Sequence, residues 1–171
     1  MNEFEPIQGI SGVWSRSNRI FPDDRGYFFE SLRKSSLPDG VPDFVQDSMS
    51  FSKRNVLRGM HLQINQWQLV TLLRGQIIDV VLNLDSTTTE YRKSTSISLD
   101  WNSTNQLLIG PGIAHGYAVL SEDALIHYKS SIYYGDSPQI GVHWQSSEVI
   151  SYWPVQNWIV SQRDSNFDFI V

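Results

Sequence analysis

The chain has 171 residues, with 13 Lys and Arg against 18 Asp and Glu, and its net charge of −5 makes nucleic acid and anionic membrane surfaces poor partners. It has no cysteine, which excludes disulfides, thiolate nucleophiles and thiolate metal sites. Only 18% of the residues are charged while 12% are aromatic, a balance that leans towards β-structure, and the length suits one domain over residues 1–171.

The opening Met1-Asn-Glu-Phe-Glu lacks the basic and apolar regions of a signal peptide, and no run approaches the ~18 apolar residues of a membrane helix. The expectation is a soluble, cytoplasmic protein. A short helix is predicted over 30–36, ended by Pro38-Asp-Gly. From about Phe44 onward, runs of Val, Ile, Leu, Thr and Tyr alternate with turn residues, and no window of 12 or more residues carries a helical stripe. The clearest unit is 68–84, two β-rich runs on either side of Arg74-Gly75, which reads as a hairpin. Further strands are predicted over 95–99, 105–109, 116–120 and 124–132. Strands this frequent predict an all-β chain, either a closed barrel or an antiparallel double-sheet jelly roll with a few short helices.

Ionisable residues inside such runs are the informative anomaly, because burying them is costly unless they are paired or used. Arg58, His61, Asp79, His115 and Tyr128 stand out. Period-2 geometry sends Arg58 and His61 to opposite faces, so a shared pocket requires a bulge between them, with Gly59 the obvious place. Each residue also has a plainer reading: a lone strand His is usually structural, Tyr128 and Tyr133 are ordinary amphipathic strand residues, and Asp79 can be a buried carboxylate held by neutral donors. Asp164 would ordinarily be a loop residue or helix N-cap. A metal-binding barrel would carry His-x-His followed by Glu where this chain has His61-x-Gln63, so no metal is expected.

Several strings carry more information together than apart. Phe21-Pro-Asp-Asp-Arg-Gly-Tyr-Phe-Phe-Glu-Ser31, Phe44-Val-Gln-Asp-Ser-Met-Ser50, Val56-Leu-Arg-Gly-Met-His61 and Leu73-Arg-Gly-Gln-Ile-Ile-Asp79 come first. Pro111-Gly-Ile-Ala-His-Gly-Tyr117, Tyr128-Lys, Tyr133-Tyr134, Trp144, Trp153-Pro154 and Ser161-Gln-Arg-Asp164 follow in order. The set resembles the dTDP-4-dehydrorhamnose 3,5-epimerase family over nearly the whole chain. The resemblance implies a cupin-type jelly roll (a double-stranded β-helix barrel), a homodimer, a nucleotide-sugar substrate and no metal or organic cofactor. It also implies epimerisation at C3, C5 or both of a nucleotide-linked 4-keto-6-deoxy sugar, as in the biosynthesis of rhamnose-like deoxysugars. His61 matches the family's base, Asp164 the carboxylate that orients it, and Tyr128 the acid on the opposite face. Arg58 fits a diphosphate or sugar-oxygen contact, and His115 with Asp79 a second, supporting pair. Gln46, Ser48 and Tyr133 fall in substrate-binding positions, while Arg25, Phe28 and Glu30 match a segment that borders the nucleotide, across the dimer. With Phe21, Tyr27, Phe28 and Phe29 that segment carries more aromatic surface than a peripheral segment should expose, which also predicts a dimer.

Three positions depart from the family. Gln68 stands where the family usually has Lys, after a shortened loop, and Ser48 and Gln145 fall where Asn and Asp are more common. These departures leave open the nucleotide, the sugar and the number of centres epimerised. They also motivate two alternatives on the same scaffold, a non-catalytic sugar-nucleotide-binding protein and a sugar ketoisomerase.

Overall fold

The runs over 68–74, 76–83 and 105–109 put large apolar side chains on both faces of their strands, so a sheet with one wet face cannot accommodate them. In the computed structural model, which describes residues 3–103, 105–154 and 157–170, two antiparallel sheets meet this demand. The larger runs in the order β1 (Glu5–Pro6), β2 (Val13–Ser17), β10 (Asn105–Ile109), β7 (Gln68–Arg74), β12 (Asp123–Ser130), β5 (Gln46–Lys53). The smaller runs β13 (Gln139–Gly141), β6 (Leu57–Gln63), β11 (Ile113–Val119), β8 (Gln76–Asn83), β9 (Ser94–Asp100). A separate hairpin pairs β3 (Phe21–Asp23) with β4 (Gly26–Phe28).

Val70, Leu72, Leu107 and Ile126 of the larger sheet interlock with Ile77, Val81, Leu99 and Val119 of the smaller one in the central core. The alternate residues are buried too, on the outer faces. Leu57, Met60, Leu62, Val80 and Leu82 lie under Val142, Val149 and Trp153 from the C-terminal third. Leu69 and Leu108 lie under Phe4, Leu32, Leu37, Val41 and Phe44. Three packed layers thus explain why the runs read as continuously apolar.

The hairpin predicted over 68–84 does not form. β7 and β8 follow one another but belong to different sheets, and the chain crosses between them at Gly75. Gly75 has φ +90°, and a Cβ there would sit 2.1 Å from the Asp123 carbonyl oxygen, so the corner is tight enough to require glycine. Both runs are buried on both faces, and crossing between sheets lets their inner stripes face each other. The same alternation links β5 to β6, β6 to β7 and β9 through β13, which is the jelly-roll path. Of the two architectures expected, the double-sheet jelly roll is the one that forms: among the described residues, hydrogen bonds do not join the two sheets into a ring.

The predicted helix over 30–36 reduces to a 3₁₀ turn, Lys34–Ser36. Buried Arg16 takes this segment's polar groups instead, donating to the Ser31 carbonyl at 2.9 Å and to Ser36 Oγ at 2.8 Å. Burial also lowers the Arg16 pKa to about 10. A four-residue helix, α1 (Gln162–Ser165), begins at the N-cap Ser161. Among the described residues no helix is long and apolar enough to cross a membrane.

Candidate active site

The site begins with an irregularity in β6. Its partner β11 sets His115 opposite His61 and Tyr117 opposite Arg58, so three steps on β6 span two on β11 and one residue is extra. The bulge falls at Gly59, with φ +130°, and it turns Arg58, His61 and Gln63 into the same cavity while Met60 and Leu62 stay in the outer core. A Cβ on residue 59 would lie 2.5 Å from Gly116 Cα, a backbone atom that cannot step aside. Gly59→Ala is expected to cost about 2–4 kcal/mol through clash and backbone strain. Thermal unfolding measures the loss, and an unchanged Tm contradicts the bulge.

The cavity, of about 290 Å³, opens between the sheets. From the smaller sheet come Arg58, His61, Gln63, His115 and Tyr117, and from the larger sheet Gln46, Ser48, Gln68, Tyr128 and Ser130. His61 and Tyr128 therefore face one space from opposing sheets.

Behind His61 stands Asp164, 4% exposed, with Oδ1 2.9 Å from His61 Nε2 and Oδ2 accepting the Gly59 N–H at 3.1 Å. Asp164 is neither loop residue nor cap: it lies in the first turn of α1, and its own N–H donates to Ser161 Oγ. Burial pushes its carboxyl up, but the His61 hydrogen bond and charge and the Gly59 N–H outweigh burial and hold it below the usual carboxylate range. With Nε2 committed to Asp164, Nδ1 is the ring atom left to take a proton. Phe167 meets the imidazole edge-on at 5.6 Å and fixes its plane.

A second pair lies deeper. Asp79, fully buried, approaches His115 Nδ1 at 3.3 Å, and burial, partly offset by His115, raises its carboxyl. His115 Nε2 lies 2.7 Å from Gln68 Oε1, which accepts its N–H, and the Gln68 NH₂ remains as that side chain's donor. Tyr128 is held well above the ordinary phenol range, chiefly by burial and then by Tyr117, so it is a phenol and a proton donor near neutral pH.

Not every expected residue is here. Tyr133 turns outward, and its carbonyl accepts from Gln63 Nε2, while its neighbour Tyr134 lines the cavity. Arg25, Phe28 and Glu30 lie outside the cavity, Arg25 paired with Asp23, Glu30 with Arg33, and Phe28 65% exposed. Gln63, Gln66, Gln139, Tyr117, Tyr134 and Arg163 line the cavity without having been singled out. Alternation from His61 and His115 points to Gln63 and Tyr117, whereas the loop residues give no such sign. Among the described residues no three metal-ligating side chains converge.

Comparison with known proteins gives the family. Residues 8–170 match the family model described as dTDP-4-dehydrorhamnose 3,5-epimerase. A dTDP-4-dehydrorhamnose 3,5-epimerase of Shigella flexneri is 34% identical over 154 residues, 86% of this chain and 85% of that one. A dTDP-4-dehydrorhamnose 3,5-epimerase of Bacillus anthracis, solved with TDP and PPi bound, superposes with a TM-score of 0.89 at 30% identity, covering 98% of this chain and 99% of that one. A dTDP-6-deoxy-D-glucose-3,5-epimerase of Legionella pneumophila, in complex with dTDP-4-keto-L-rhamnose, gives a TM-score of 0.89 at 28% identity over 98% and 92%. With the jelly roll, the two-sided cavity and these matches together, the chain belongs to the dTDP-4-dehydrorhamnose 3,5-epimerase family.

Proposed function

We propose that this protein is an isomerase that epimerises C3, C5 or both of a nucleotide-linked 4-keto-6-deoxy sugar in deoxysugar biosynthesis, acting as one domain over residues 1–171. The observation that carries the reading is that a carboxylate-backed imidazole and a half-buried phenol face one cavity from opposite sheets. A C–H beside the C4 ketone is acidic enough for His61 Nδ1 to take its proton, leaving an enolate. Tyr128 then gives its O–H proton to the opposite face, which inverts the carbon. Asp164 holds the imidazole in the productive tautomer and stabilises the imidazolium. Arg58 and Arg163, both exposed at the cavity, suit a diphosphate, with Gln46 and Ser48 placed for sugar or base oxygens. This chemistry needs no metal or cofactor.

Incubating dTDP-, GDP- and CDP-linked 4-keto sugars with the enzyme in deuterated water tests the reading. Deuterium at C3 or C5 with inverted configuration supports it. Binding without exchange would instead favour a sugar-nucleotide-binding protein, and movement of the ketone a ketoisomerase.

A homodimer working in the cytoplasm completes the proposal. Exposed Phe21, Tyr27 and Phe28 on the β3–β4 hairpin, and Met49 and Phe51 on edge strand β5, supply an apolar surface for a second copy. In the dimer, Arg25, Phe28 and Glu30 would border the partner's nucleotide. Light scattering at micromolar concentration is expected to give twice the chain mass, and a monomer contradicts it.

Gln68→Lys separates an ordinary site with one altered residue from a reshaped one. A Lys cannot accept the half-buried His115 N–H, and it sets a like charge beside the imidazole wherever that ring is protonated. Turnover on dTDP-4-keto-6-deoxyglucose is therefore expected to fall about 10-fold or more. A faster variant would show that the site lacks only a cation.

A further inference from the structure

Each turnover through His61 and Tyr128 leaves an imidazolium on one wall and a phenolate on the other, and both must be reset. His61 is half-buried at the cavity and can release its proton to solvent. Tyr128, half-buried on the opposite wall beside buried Tyr117, faces the cavity that the sugar occupies during turnover. Its hydroxyl is, however, the end of a continuous chain: Tyr128 to Ser50 at 3.3 Å, Ser50 to Tyr117 at 2.9 Å, Tyr117 to Ser52 at 3.0 Å, and Ser52 to Arg58 Nε at 3.0 Å.

The chain has a direction. A guanidinium only donates, so Arg58 occupies a lone pair of Ser52 Oγ and leaves the Ser52 proton for Tyr117. Tyr117 can then donate to Ser50, and Ser50 to Tyr128. Alternation along β5 places Ser50 and Ser52 on one face, and the register of β11 brings Tyr117 to them. Tyr117 and Ser52 are each 3% exposed, while Arg58 reaches solvent. A single bond would satisfy the Tyr117 hydroxyl structurally, yet it sits between two serines that extend it both towards the acid and towards the surface.

Resting on Tyr128 as the acid, we propose that Ser50, Tyr117 and Ser52 form a hydroxyl relay that returns a proton to Tyr128 after each turnover, with Arg58 orienting its outer end. In the reset, the Ser50 O–H bond breaks as the Tyr128 O–H forms. Tyr117 gives its proton to Ser50, Ser52 gives its own to Tyr117, and water at the Arg58 end refills Ser52. The proton that His61 releases to solvent balances the hydroxide left by that water. Burial makes a lingering phenolate costly, so the relay governs the rate of repeated turnover and leaves the first proton abstraction untouched.

The test compares wild type with Ser50→Ala, Tyr117→Phe, Ser50→Thr and Tyr128→Phe on the sugar nucleotide that the exchange panel identifies. In Ser50→Ala and Tyr117→Phe, steady-state kcat is expected to fall about 10- to 100-fold with KM unchanged, part of the usual range for general acid–base catalysis. Their solvent deuterium isotope effect on kcat rises, and single-turnover proton abstraction by His61 keeps its wild-type rate. Ser50→Thr, which keeps the hydroxyl, restores kcat. The relay is overturned if both variants keep wild-type kcat and isotope effect while Tyr128→Phe abolishes inversion. If Tyr128→Phe itself inverts at the wild-type rate, the assignment of the acid falls with it. Should Tyr117→Phe fail to fold, half-buried Ser50 still decides the matter.

Discussion

His61→Ala is expected to lower deuterium exchange at the substrate's C3 and C5 by about 10²–10⁴-fold, the range for removing a general base. The geometry makes the loss specific. No other cavity imidazole can replace it, because His115 is engaged at both ring nitrogens, by Asp79 and by Gln68. Removing the half-buried ring also frees Asp164, which keeps the Gly59 N–H as a partner, so the fold is expected to survive and substrate binding to change little. Exchange measured by NMR, with binding checked by calorimetry, gives the result. Undiminished exchange in His61→Ala would move the base elsewhere in the cavity.

Asp164→Asn is expected to slow exchange by a similar factor, through a different cause. The carboxylate accepts two N–H groups at once, from His61 Nε2 and from Gly59. An amide has one oxygen and one NH₂, so in either orientation it presents a donor to a donor. Turning its oxygen to Gly59 forces the NH₂ onto His61 Nε2, which shifts the ring proton to Nδ1, the atom that must be empty to act as base. Loss of an orienting Asp can cost about 10⁴-fold through the wrong tautomer alone. The other orientation leaves the buried Gly59 N–H unpaired, at ~1–3 kcal/mol of stability. Kinetics are expected to show a fall in kcat with KM little altered.

Stability against pH provides an independent reading of the same variant. The folded Asp164 carboxyl titrates below its unfolded value, so its stabilisation is complete above the ordinary carboxylate range of about 4. It disappears as pH falls through the depressed value. The difference in Tm between wild type and Asp164→Asn is therefore expected to be largest near neutrality and to shrink on acidification. A constant difference would mean that the carboxylate contributes nothing through its charge.

Much of this was legible in order along the chain, for a physical reason. Strand-forming residues, glycine turns and period-2 alternation act within a few residues of one another, so the run over 105–109 coincides with β10 and the demand for a bulge at Gly59 follows from two residues alone. The collinear strings from Phe21 to Asp164 likewise identify the family without coordinates. Alternation says which residues share a face and is silent on which sheet the strand joins. That is why 68–84 reads as a hairpin when the chain crosses between sheets at Gly75. Tertiary structure alone decided that Tyr134 and not Tyr133 faces the cavity, because a loop has no period. It alone set Tyr117 between two serines more than 60 residues away, and where the family resemblance had paired Asp164 with His61 it put that carboxylate 2.9 Å from the ring across 103 residues. Such contacts depend on the packing of whole sheets, and no local pattern in the chain encodes them.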